Sequence, residues 1–142
     1  MKKIAIIYYS GTGNTESMAN EILAGANEGH GDVKLFNVSD ITASDASAYD
    51  VLVLGCPAMG AEVLEESEFD PFFTELEGSL SGKDVALFGS YGWGDGEWMR
   101  NWQDRVTAAG GNLLGDGIIC CEAPEDDTLK TLHELGLKVA AL

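Results

Sequence analysis

The chain has 142 residues, 45% of them hydrophobic and 23% charged. That predicts one domain over residues 1–142 with one sizeable core and excludes a disordered chain. Its 24 acidic and 8 basic residues leave a formal net charge of −16, which repels nucleic acid and anionic membrane and favours a partner with a basic patch, or else serves solubility alone.

From the N-terminus, Lys2 and Lys3 precede only six apolar residues, Ile4 to Tyr9. That run is too short for a signal segment or a membrane span, so a cytoplasmic chain with nothing removed is expected. It reads instead as a first strand. Directly after it comes Ser10-Gly11-Thr12-Gly13-Asn14-Thr15. Hydroxyls, two glycines and the free N–H groups of a helix start equip this loop to hold a phosphate. It contains no Lys or Arg and matches neither GxxxxGK[ST] nor GxGxxG. An uncharged cradle suits a phosphate monoester better than a triphosphate with its metal, which points to flavin mononucleotide (FMN). The plainer reading is a turn that only caps the helix.

Met18, Ala19, Ile22, Leu23 and Ala26 recur at helical spacing, and Val33 to Phe36 gives a second strand. Residues 39–50 leave the least room for a helix before the third strand, Val51 to Leu54. The next loop is Gly55-Cys56-Pro57-Ala58-Met59-Gly60-Ala61-Glu62. Met59 belongs to no helical stripe, and its thioether can pack on an aromatic face or simply fill the core. A helix follows with Phe69, Phe72, Phe73, Leu76 and Leu80 on one side, Pro71 being tolerable in a first turn. Val85 to Phe88 is the fourth strand, and its loop runs Gly89-Ser90-Tyr91-Gly92-Trp93-Gly94-Asp95-Gly96-Glu97-Trp98. Glycines let the backbone approach a planar ligand, and exposed Tyr or Trp rings offer a stacking surface or a protein contact. Trp98, Trp102, Val106 and Ala109 form a helical stripe, Ile118 to Cys121 a fifth strand, and Leu129, Leu132, Leu135 and Val139 a last helix.

Continuous apolar runs alternating with helices predict an α/β fold: a single doubly wound, five-stranded parallel sheet. Ligands of such sheets sit beyond the carboxyl ends of the strands, so the loops after strands one, three and four should converge. Cys56, Cys120 and Cys121 make neither a disulfide framework nor a CxxC and read as reduced and structural. His30 and His133 lack metal-ligand spacing. No Ser-His-Asp order or Cys beside His is present, so neither a catalytic residue nor a metal ligand is assigned.

Four segments, SGTGNT at 10–15, GCPAMG-E at 55–62, EESEFDPFF at 65–73 and LFGSYGWGDGEWM at 87–99, resemble the flavodoxins, specifically the short-chain type of anaerobic bacteria. The resemblance covers essentially the whole chain. It implies strand order 2-1-3-4-5 and noncovalent FMN, with residues 10–15 on the phosphate. Met59 and Trp93 would flank the flavin ring, and Glu62 would accept its N3–H. Backbone around Gly92 and Gly94 would meet the O2/N1 side. Ser90 and Trp98 would reach the phosphate or ribityl region, with Pro57, Ala58 and Tyr91 in the same loops. In this family the peptide after the loop Met reorients to accept the flavin N5–H and stabilise a neutral semiquinone. Gly60 fits that flip, while Ala61 and Pro57 stand where some relatives carry Asp or Ser, and Ser.

The implied function is a low-potential one-electron carrier shuttling FMN between semiquinone and hydroquinone for reductases and ferredoxin-dependent oxidoreductases, as a monomer. Glu62, Glu65, Glu66, Glu68, Asp70, Asp95, Glu97, Glu122, Glu125, Asp126 and Asp127 fall in segments expected to rim the flavin. Each such charge ~10 Å away costs an added negative charge roughly 0.4 kcal/mol in water-like dielectric. The alternatives are an FMN-dependent NAD(P)H:quinone reductase, for which the loops are short, and an activator of a partner enzyme. A phospho-acceptor receiver domain is rejected, because Ser10-Gly11 and Cys56-Pro57 stand where it needs acidic residues.

Overall fold

The structure is a computed structural model and describes residues 2–142. Its strands are β1 (Lys3–Tyr8), β2 (Asp32–Asn37), β3 (Val51–Gly55), β4 (Asp84–Tyr91), β5 (Asn112–Leu113) and β6 (Ile118–Cys121). The helices are α1 (Asn14–Glu28), α2 (Ala43–Ala46), α3 (Phe69–Leu76), α4 (Glu97–Ala108) and α5 (Asp126–Ala140). The sheet runs β2-β1-β3-β4 with β5 and β6 both on the far edge of β4, every pairing parallel. The expected order 2-1-3-4-5 is therefore present, with the fifth position split into two segments. β5 pairs with Asp84 and Val85 at the start of β4, and β6 with Phe88 to Tyr91 at its end. Residues 114–117 break the strand between them, where Gly115 has a φ of 80° and Gly117 lies under the Met99 side chain.

Alternation along the strands divides the core into two layers. Ala5, Ile7, Leu52, Leu54, Val85 and Leu87 face α3 and α4, where they meet Phe69, Phe73, Trp98 and Trp102. Ile4, Ile6, Val51, Val53, Ala86 and Phe88 face the other way, onto Met18, Ile22, Leu132 and Val139 of α1 and α5. Both faces are covered, which is why the strands read as unbroken apolar runs. The short segment before β3 holds a single 3-10 turn and the four-residue α2, capped by Thr42 Oγ1 accepting from Asp45 N–H at 3.0 Å. α3 ends at Leu76, earlier than the apolar stripe suggests, and a 3-10 turn carries the chain to Leu80.

Candidate functional site

At the carboxyl ends of β1, β3 and β4 the chain leaves a cavity of about 550 Å³, within the usual range of small-molecule sites, roughly 300–1,000 Å³. Its walls are Gly11, Thr12, Asn14 and Thr15; Pro57, Ala58 and Met59; Ser90, Tyr91 and Gly92; and Glu122 and Ala123. The three expected loops do converge. The fourth wall, from the loop after β6, was not singled out as binding, although the same strand-end rule reaches it.

The first loop is braced from within. Ser10 Oγ accepts from the N–H groups of Gly13 at 3.0 Å and Glu16 at 3.2 Å. The Glu16 carboxylate accepts from the Tyr8 hydroxyl at 2.8 Å; burial first, and then this carboxylate, raise the Tyr8 phenol above its ordinary value. Gly13 sits at the N-cap of α1 with a φ of 95°, a left-handed conformation that suits glycine, and has no side chain with which to cap the helix, so Ser10 Oγ takes only the Glu16 N–H of the first turn. The Asn14 and Thr15 N–H groups are left without intrahelical acceptors at the positive end of the helix dipole. Thr15 Oγ1 is buried without a partner, on the cavity wall. Buried hydroxyls are rarely left so. An orphaned hydroxyl beside two free N–H groups at a helix start fits a phosphate monoester.

The β3 and β4 loops are tied together by Cys56 N–H to the Phe88 carbonyl at 3.1 Å and Ala58 N–H to that of Ser90 at 3.0 Å. Met59 and Val63 exchange two backbone hydrogen bonds, closing a turn over Gly60, Ala61 and Glu62. Gly60 (φ 50°) and Ala61 are exposed at its tip. Glu62, also left-handed at φ 56°, is buried, and its Oε1 accepts from Asp95 N–H at 2.9 Å. It borders a second, smaller cavity and not the large one. Gly94 lies against that carboxylate, which leaves no room for a Cβ. Trp93 is 61% exposed and stands outside the cavity wall.

Ser90 lines the cavity, but its hydroxyl donates to the Glu122 carbonyl at 2.8 Å, so it fixes the fourth wall. Trp98 departs from expectation. It is 1% exposed, its Nε1–H donates to the Cys56 carbonyl at 3.0 Å, and its ring packs 5.6 Å from that of Tyr91. It supports the wall from behind and does not reach the cavity. Cys121 is exposed, unlike the buried Cys56 and Cys120, whose thiols burial pushes up.

The acidic rim is thinner than the sequence suggests. Glu65 is buried and caps α3: Oε1 accepts from Glu68 N–H at 2.7 Å and Phe69 N–H at 2.9 Å, while Oε2 accepts from Ser67 N–H at 2.9 Å and from the Ser67 hydroxyl. Burial would raise this carboxyl, but those hydrogen bonds, led by that of the Ser67 side chain, hold it below the ordinary value. Asp70 pairs with Arg105 at 2.8 Å and Asp95 with Arg100 at 3.0 Å. Glu66, Glu68, Glu97, Glu122, Glu125, Asp126 and Asp127 remain as exposed charges.

A family model described as flavodoxin matches residues 6–136. The chain belongs to the flavodoxin family. It is 49% identical to a flavodoxin of Clostridium beijerinckii over 95% of this chain and 97% of the relative. It is 50% identical to that of Megasphaera elsdenii over 82% of this chain and 85% of the relative. The solution structure of the two-electron reduced M. elsdenii flavodoxin superposes with a TM-score of 0.86, at 47% identity over 95% of this chain and 98% of that one. Flavodoxins are electron carriers that bind FMN, and FMN is the cofactor here. Among the described residues no helix is long and apolar enough to cross a membrane.

Proposed function

We propose that residues 1–142 form a single FMN-binding domain that works in the cytoplasm, as a monomer, as a low-potential one-electron carrier between redox enzymes. The observation that carries this reading is the orphaned Thr15 hydroxyl beside the free N–H groups of a helix start in the cavity of about 550 Å³. Bound FMN supplies a ring that takes up and gives back electrons. The chain supplies the rest.

In this reading Thr15, Thr12 and Asn14 donate to the phosphate together with the N–H groups of the 11–15 loop that Ser10 leaves free, and Ser10, accepting from Gly13 N–H, holds that loop in shape. Pro57, Ala58, Met59, Tyr91 and Gly92 form the apolar and backbone walls of the ring end, with Met59 on one face. Trp93, exposed and carried on a glycine-rich loop, covers the other face. Gly60 and Ala61 form the exposed peptide nearest Met59, and Glu62, held by Asp95 N–H beside Gly94, sets a negative charge behind that turn. The exposed rim carboxylates oppose a further negative charge in the cavity, which lowers the potential. They also steer basic partners into brief contact that weakens as salt rises.

Stepwise anaerobic reduction of the FMN-loaded protein, followed by visible absorbance, tests the reading. A long-wavelength band that rises and then falls is the expected result. Direct passage from the oxidised to the fully reduced spectrum would overturn one-electron transfer.

A further inference from the structure

The third residue of α1 is Glu16, an acid in the first turn of the helix whose start faces the cavity. From that position a Glu ordinarily reaches back to the N-cap N–H and closes the helix start, filling the place an outside anion would take. Neither half of that arrangement forms in this chain. The Gly13 N–H at the N-cap donates to Ser10 Oγ at 3.0 Å, and the Glu16 carboxylate accepts from the Tyr8 hydroxyl at 2.8 Å. Glu16 is exposed, and among the described residues no Lys, Arg or His pairs with it. The Tyr8 hydroxyl is what fixes it.

Tyr8 is the last residue of β1, 7% exposed, and its ring packs in the layer of Met18 and Ile22 of α1. It pairs in register with Asn37 at the end of β2, and the side chains of Asn37 and Asp40 both act on the phenol, which puts the hydroxyl on the β2 side. β2 flanks β1 on one side; β3 and β4, whose loops wall the cavity, lie on the other. Asn14 and Thr15 line the cavity, but Glu16, the very next residue, does not, and neither does Tyr8. The carboxylate is thus drawn away from the orphaned Thr15 hydroxyl and the two free N–H groups beside it.

Resting on the reading of residues 10–15 as the phosphate site, we propose that Tyr8 is a positioning residue for cofactor binding: its hydroxyl holds the Glu16 carboxylate aside and so keeps the start of α1 open to the phosphate. Without that hydroxyl the carboxylate competes with the phosphate for the Asn14 and Thr15 N–H groups and repels its charge. A flavin that lacks the phosphate is indifferent to where Glu16 points.

A double-mutant cycle on Tyr8→Phe and Glu16→Gln tests this. Flavin-fluorescence titration reads the affinity of each protein for FMN and for riboflavin, which has the same ring and ribityl chain without the phosphate. Tyr8→Phe should weaken FMN binding roughly two- to fivefold, the size of a carboxylate's interaction with a helix start, and leave riboflavin binding unchanged. In the Glu16→Gln background the same substitution should leave FMN binding unchanged as well. Equal FMN affinity in the parent and Tyr8→Phe overturns the proposal. So does a loss of the same size in both backgrounds, or an equal loss for riboflavin, because the hydroxyl would then serve the fold and not the phosphate. A parent protein that binds FMN no more tightly than riboflavin overturns the phosphate reading itself, and the proposal with it.

Discussion

The indole N–H of Trp98 donates to the carbonyl of Cys56 at 3.0 Å, joining the first turn of α4 to the loop after β3. Gly89 makes this approach available, since a Cβ there would stand 2.2 Å from the same carbonyl oxygen. Trp98→Phe keeps an aromatic ring but removes the side-chain donor that, among the described residues, serves the carbonyl of a fully buried residue. The unpaired group costs about 1–3 kcal/mol, and the lost ring volume adds to it. Urea unfolding should show that loss, and FMN affinity should fall with it, because residues 57–59 follow directly on Cys56. An unchanged urea midpoint would mean the bond contributes nothing.

Helices α1 and α5 cross where Gly25 meets Gly136. A Cβ on Gly136 would lie 2.2 Å from the Ile22 carbonyl oxygen, and one on Gly25 2.1 Å from that of His133. Both obstacles are helix backbone, which cannot swing aside. Gly136→Ala gains up to about 1 kcal/mol of helix propensity, but overpacking of this kind typically costs 1–3 kcal/mol. The clash should win. Differential scanning calorimetry is expected to show a lower Tm, and a rise would contradict the close crossing.

The same helix pair is clamped by His133, whose ring nitrogens meet Glu28 and Glu21, the latter at 2.9 Å. The bonds to Glu28 and then Glu21 raise the imidazole above its ordinary value. A raised folded value means the clamp stabilises fully below the unfolded value of about 6.5 and is lost as pH rises through the folded one. Stability should therefore decline from about pH 6.5 upward in the parent, and less so in His133→Gln. The site is partly exposed, so added salt should shrink the difference. Urea midpoints between pH 5.5 and 8.5, at low and high salt, check both statements.

Much of the fold was legible because both sheet faces are buried: the runs at 4–9, 51–54 and 85–88 could only be strands covered on two sides. The split of the fifth strand was not, since Asn112-Leu113 is too short to carry a pattern and its pairing depends on where β4 begins. At the site, the phosphate loop announced itself by residue type. Glu65 and Trp98 misled for one reason. A carboxylate near a predicted rim and an indole near a predicted ring site look functional in one dimension, but each is consumed by a backbone partner, four residues away for Glu65 at Phe69 N–H and 42 away for Trp98 at the Cys56 carbonyl. Glu122 was legible only as a rim charge; its left-handed turn and the bond its carbonyl accepts from Ser90 were hidden, because nothing in Cys120-Cys121-Glu122-Ala123 resembles a turn that needs a positive φ.

Thr15 separates cofactor binding from folding more cleanly than any other residue of the cavity. Its hydroxyl is buried and bonds to nothing in the protein, so Thr15→Val, nearly equal in volume, removes a polar group the fold does not use. The cofactor-free protein should keep its stability or gain slightly. A hydrogen bond to a charged phosphate contributes about 1.5–3 kcal/mol, so the Kd for FMN should rise roughly tenfold or more. Thr15→Ser restores the hydroxyl and should bring most of the affinity back. Flavin-fluorescence titration of the three proteins, with urea unfolding of each free of FMN, makes the comparison. If valine weakened folding and left FMN affinity unchanged, the hydroxyl would serve the loop and not the phosphate.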